Sequence, residues 1–134
     1  MGMVVRNKDE VEATTVKNIH GGTGNCIVRQ VLGHEPRLEE PPGFPDDFKT
    51  NLAFIHWSTL EKGATIGRHA QGNSDEVYII LSGEGEMTVD GETVELGPGD
   101  MALTQAGSHH SFKNIGDEDI EFIVVTASTG EGKI

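Results

Sequence analysis

From residue 11 onward the chain alternates apolar and polar positions in short runs, most of them bounded by glycine, proline, Asn or Asp. A period of two marks an extended chain with one face turned toward a core. Val11–Val16 is rich in β-formers, and Asn25–Leu32 sets Cys26, Val28, Gln30 and Leu32 on one face. Leu52–Leu60 puts Phe54, His56, Ser58 and Leu60 on one side and Ile55, Trp57 and Thr59 on the other. In Glu76–Leu81 the two sides are Glu76, Tyr78, Ile80 and Val77, Ile79, Leu81, so both need cover. Met87–Val94 carries Asp90-Gly91 at its centre, the pair that supplies the positive φ angles of a type I′ hairpin turn. That register opposes Met87 to Val94 on an inward face and turns Thr88/Thr93 and Glu86/Glu95 outward. Further short strands are predicted over Met101–Thr104, His110–Lys113 and Ile120–Thr126. Glu35–Lys49, acidic and holding four of the five prolines, reads as an exposed loop, and the glycine-rich stretch 19–24 as a turn. No segment has a good helical period, so the pattern predicts an all-β sandwich or barrel.

Composition changes this picture mainly by exclusion. A chain of 134 residues makes one domain with a real core, and its 18 glycines suit many tight turns. Ten Lys+Arg against 22 Asp+Glu leave a net charge of −12, which argues against nucleic acid and anionic membranes as partners. No apolar run approaches the roughly 18 residues of a membrane span, and the start lacks a signal-peptide core. Met1-Gly2 is not followed by the residues of a myristoylation signal. The single cysteine, Cys26, permits no intrachain disulfide and suits a reducing cytoplasm, the expected location.

Two clusters carry the candidate chemistry. The first runs Gly63, five residues, His69-Ala70-Gln71, four residues, Glu76, six residues, Gly83; the second holds Gly99-Asp100, Gly107-Ser108-His109-His110 and Asn114. These spacings resemble the paired signature of the cupin superfamily, with Gln71 where a second histidine is usual and Gln105 where proline is usual. The resemblance covers about half the chain directly. It implies a jelly-roll (double-stranded β-helix) barrel as one domain over 1–134, with an N-terminal arm over 1–50 and the barrel core over 51–128. It also implies that His69, Gln71, Glu76 and His110 converge on one divalent transition metal: Mn, Fe, Ni, Co or Zn. The donor types agree, since imidazole and carboxylate suit such ions and no thiolate is offered. His69 and Gln71, two apart, face the same way on an extended chain; the turn at 72–75 is expected to return Glu76 on the neighbouring strand. Gln71 is a weaker donor than imidazole and either coordinates or only hydrogen-bonds; two histidines with one carboxylate would resemble the facial triad of non-haem iron.

Other residues bear on the reaction. His109 is expected to point outward, opposite to His110. His56 and Tyr78 are the catalytic candidates: His56 as a partner of the site, a proton carrier or a buried core histidine, Tyr78 as a hydrogen-bond donor or core filler. Cys26 reads as a packed thiol, Asp75 as a solvated turn residue and Trp57 as an outward packing residue. Arg68 should point away from the site, so no arginine is visibly aimed inward. In oxalate decarboxylases of this superfamily an arginine precedes the first histidine; Ile66 stands there. The expected function is a mononuclear metal-dependent enzyme acting on a small oxygen-rich organic molecule, by dioxygenase, decarboxylase or isomerase chemistry. The alternative is a non-catalytic cupin that binds a small-molecule ligand. A homodimer is expected, because the second apolar face of Val77, Ile79 and Leu81 needs cover.

Overall fold

In a computed structural model, which describes residues 2–130, the predicted runs become ten strands in two antiparallel sheets. Met1 and residues 131–134, which the expected domain includes, lie outside the described residues. The larger sheet is ordered β1 (Thr14–Lys17), β2 (Asn25–Gly33), β3 (Leu52–Leu60), β10 (Ile120–Ser128), β5 (Ser74–Ser82), β8 (Met101–Thr104). The smaller is ordered β4 (Thr65–Ala70), β9 (His109–Asn114), β6 (Gly85–Val89), β7 (Glu92–Leu96). This is the all-β, two-sheet jelly roll. Among the described residues no helix is long and apolar enough to cross a membrane.

Registry places the inward side chains in rows across β3, β10 and β5. Phe54, Thr126 and Glu76 form one row, His56, Val124 and Tyr78 the next, and Ser58, Phe122 and Ile80 follow closely. All are buried. Phe112 of β9 reaches from the opposite sheet to meet Tyr78 and Phe122 at ring-centroid distances of 5.3 and 5.4 Å. Such tilted and edge-on aromatic packing joins the two layers beyond its share of buried area. One end of the barrel is thus filled, and the rows nearer Glu76 are where polar groups enter the interior.

Four expectations change. Cys26, Val28 and Gln30 do share a buried face, but the register shifts between Gln30 and Leu32, so Leu32 leaves that face and Gly33 takes it. A bulge inverts the alternation beyond it. The Met87–Val94 hairpin has the predicted register, with Asp90 and Gly91 at φ 47° and 86°. Val94, however, is 52% exposed, because β7 is the edge of its sheet and nothing packs on it. Glu76 does not return beside β4: β4 and β5 belong to different sheets, and the chain crosses between layers at residues 71–73. Finally, the proline-rich segment is a loop but is held against the barrel. Gln30 Nε2 donates to Leu38 O and Pro41 O, its Oε1 accepts from Glu35 N, and Asp47 accepts from Gly33 N and pairs with Arg6.

Candidate metal centre

His69 and His110 are partners across β4 and β9, and β5 brings Glu76 from the facing sheet. The two histidine Nε2 atoms lie 2.9 Å apart, and His110 Nε2 is 3.5 Å from Glu76 Oε1. Ligand atoms of all three lie within 4.8 Å of one another. Donors about 2.1 Å from a shared ion stand roughly 3.0 Å apart at right angles and roughly 3.4 Å apart at the tetrahedral angle. The observed separations fit that range.

Each side chain is oriented by a partner on its far atom. Gly67 O accepts from His69 Nδ1 at 2.8 Å, which leaves a lone pair on Nε2. Thr104 Oγ1 lies 2.8 Å from His110 Nδ1 and can donate or accept, so His110 can present its Nε2 lone pair. Thr126 Oγ1 donates to Glu76 Oε2 at 2.7 Å and frees Oε1. Burial pushes His110 down to about 3 and also lowers His69, so both rings are neutral, as ligands must be. Burial likewise raises Glu76 to about 7, opposed by its hydrogen bond from Thr126 and by the Gln71 amide. Gln71 is buried just past the end of β4. Its Nε2 donates to Ser74 Oγ at 2.8 Å, and its amide lies near enough to the Glu76 carboxylate to favour the ionised form.

His69 and Glu76 border a cavity of about 50 Å³. One water needs roughly 10–15 Å³ by this kind of measure, so the space suits a ligand of a few heavy atoms. Cys26, Val28, Ile66, Phe122 and Val124 form apolar wall, while Tyr78, His56 and Ser58 are among its buried polar members. Cys26 is inert, since burial pushes its thiol up to about 12. Tyr78, whose hydroxyl burial also holds well above its ordinary value, packs with Phe112 and Phe122 while bordering the cavity. His56 stacks on Phe54 and leaves Nε2 without a hydrogen-bond partner among the described residues. His109, next to the cluster, is half-buried; its backbone NH donates to Asp90 Oδ1, and its ring is absent from the cavity wall.

Three residues of this wall were not legible as site residues. His20, on the glycine-rich turn, stacks on His69 with centroids 3.7 Å apart and planes at 16°. Glu35 and Arg37, from the loop read as exposed, border the cavity and pair at 2.8 Å. An arginine therefore does reach the cavity, from the chain segment opposite to the one where an arginine was sought. Arg68 is exposed as expected, and Trp57 packs outward with its indole NH donating to Glu121.

Comparison with known proteins agrees with this architecture. The cupin domain profile matches residues 56–126. An oxalate-binding protein from Thermotoga maritima is 31% identical over 92% of this chain and 93% of its own. The crystal structure of a predicted oxalate decarboxylase from Thermotoga maritima superposes with a TM-score of 0.77 at 28% identity, covering 94% of this chain and 99% of that one. A 5-nitrosalicylic acid 1,2-dioxygenase from a Bradyrhizobium species is 36% identical over 54% of this chain but only 34% of its own length. By profile, full-length similarity and fold, the chain belongs to the cupin family.

Proposed function

We propose that His69, Glu76 and His110 hold one divalent transition-metal ion, with Gln71 fixing Glu76 and available as a further donor, and that a small oxygen-rich organic acid binds on this ion. The observation that carries the reading is the convergence of three ligand atoms at the edge of a cavity sized for a few heavy atoms. The similarity to an oxalate-binding protein makes oxalate the first acid to test. When bound, the ion supplies Lewis acidity that polarises a ligand oxygen. The chain's residues orient that ligand, exclude bulk water with the Cys26–Phe122 wall, and offer Tyr78, His56, Ser58 and Arg37 among the polar groups able to bond it.

A reaction on the bound acid is the second part of the proposal, and similarity to a dioxygenase over half the chain favours it. Metal content of untagged protein, followed by calorimetric titration with oxalate and turnover assays on oxalate, β-diketones and keto acids, tests both parts. One ion per chain and acid binding abolished by a chelator are expected. Protein that takes up no ion when supplied with Mn, Fe, Co, Ni or Zn would end the reading.

Protonation supplies an independent check. Glu76 has a raised pKa of about 7, so below that pH an ion must displace its proton, whereas His110 stays neutral down to about 3. Metal affinity should therefore fall about tenfold per pH unit below 7, with one proton released per ion. Titrations at three pH values in buffers of different ionisation heat measure both quantities; a flat profile between pH 5.5 and roughly 7 contradicts the role given to Glu76.

We also propose a homodimer. The outer face of β5 and β8 presents Val77, Ile79 and Leu81 beside Met101 (68% exposed) and Leu103 (54% exposed). The N-terminal segment does not cover it: β1 and β2 extend the opposite edge of the sheet, and Lys8 lies over Trp57 on β3. A second copy of this patch is the simplest cover. Light scattering should give twice the chain mass, and Leu103→Lys should halve it.

A further inference from the structure

We infer that His56 forms a second pole of this cavity, which binds the end of an acid ligand that the metal does not hold. The inference rests on the proposed metal site for the near end only; the far end stands on its own observations.

His56 is 4% exposed, and its Nε2 lacks a hydrogen-bond partner among the described residues. Buried polar atoms are nearly always paired, so an orphan beside a cavity marks a place for a partner from outside the chain. Its ring is stacked on Phe54 with centroids 4.2 Å apart, which holds it in plane. Burial depresses the imidazole to about 3, so it meets a ligand as a neutral Nε2–H donor and brings no charge. Arg37, which also borders the cavity, is paired at 2.8 Å with Glu35 and acts on His69 and Glu76, so it belongs to the metal side.

Placement separates the two poles. The candidate metal ligands sit on β4, β9 and β5, whereas His56 is on β3, beyond β10. Two strand spacings put about 10 Å between the backbones of β3 and β5, which inward side chains on both sides reduce to the length of a short acid. The cavity volume of about 50 Å³ sets the same limit. A ligand with an oxygen group at each end satisfies both poles, so the chemical class is a two- or three-carbon dicarboxylate.

The test uses metal-loaded full-length protein, with oxalate, malonate and acetate as probes in calorimetry and metal content measured for every variant. His56→Phe keeps the stack and removes the donor, and His56→Gln keeps a donor. His56→Phe should weaken dicarboxylate binding at least about tenfold, the loss expected for one hydrogen bond to a charged group. Acetate, held by the ion alone, should change by less than about threefold, and His56→Gln should recover most of the dicarboxylate affinity. Unchanged dicarboxylate affinity in His56→Phe, or a parallel loss for acetate, overturns the inference and leaves the metal reading intact. Loss of the ion in His56→Phe would make His56 a support of the metal site and equally overturn it. If wild-type protein holds an ion but binds no acid, the acid-binding reading itself fails.

Discussion

Replacing His69 and His110 together by alanine should lower retained metal from one ion per chain to less than about a tenth of that, because two of three converging donors disappear. Glu76 and the neutral Gln71 would remain, and His20, released from its stack on His69, is a further ring beside the site, so His20→Ala added to the pair closes that route. Gln71→Ala should behave differently. It removes a polar neighbour that favours the Glu76 carboxylate, and loss of such an outer contact costs about 10–100-fold in affinity without abolishing binding. Elemental analysis after dialysis distinguishes these outcomes, and a stoichiometric ion in the double variant would sink the proposed site. The comparison must be made with metal-free wild type, since His110→Ala also leaves the buried Thr104 hydroxyl without its partner.

Gly67→Ala should be the most damaging single methyl addition near the site. A Cβ there would collide with His20 O and come within 2.7 Å of Gly22 N, both backbone atoms that cannot swing aside. The cost is steric, since Gly67 is not in the left-handed region. The reciprocal position is equally tight: a Cβ on Gly22 would meet Thr65 O. We expect a melting temperature about 10 °C lower, corresponding to roughly 3 kcal/mol of overpacking in a domain of this length. Gly97→Ala is the control, with nothing within 4 Å of its Cβ, and should stay within about 0.5 kcal/mol of wild type. Because the Gly22–Gly67 contact seats His20 on His69, the surviving folded fraction of Gly67→Ala should also bind metal more weakly. Full affinity in that fraction would mean that the stack does not position His69.

Those glycines show where the sequence stops being informative. Period-two alternation identified nearly every strand, because one buried face imposes it locally, and the Asp90-Gly91 turn set its hairpin register from two residues. The resemblance to the cupin motif pointed to His69, Glu76 and His110, which the fold brings together; the facing of His69 does not follow from its neighbours, because the β4 register shifts between Ile66 and His69. The layer assignment of β4 and β5 was not readable. A short turn serves equally well to reverse a strand within a sheet or to pass between sheets, and the choice depends on contacts far along the chain. His20, Glu35 and Arg37 were missed because their positions depend on loops folding back over the barrel. The Gln30 side-chain amide ties that loop through three hydrogen bonds, and no local pattern announces them.

The separation of β4 and β5 into different layers gives an ion at this site a mechanical role. His69 and His110 belong to the smaller sheet and Glu76 to the larger, so an ion shared among them would act as a cross-link between the two layers. Ligation then opposes any sliding or parting of the sheets beyond the aromatic cluster, whose Tyr78 packs against His110 at 5.5 Å. By mass action, free ion at a hundred times its dissociation constant adds about 2.7 kcal/mol to the folded state. Protease added with a chelator should accordingly cut the chain faster than protease alone, with the first cleavages in the 34–51 segment, which supplies Glu35 and Arg37 to the cavity wall.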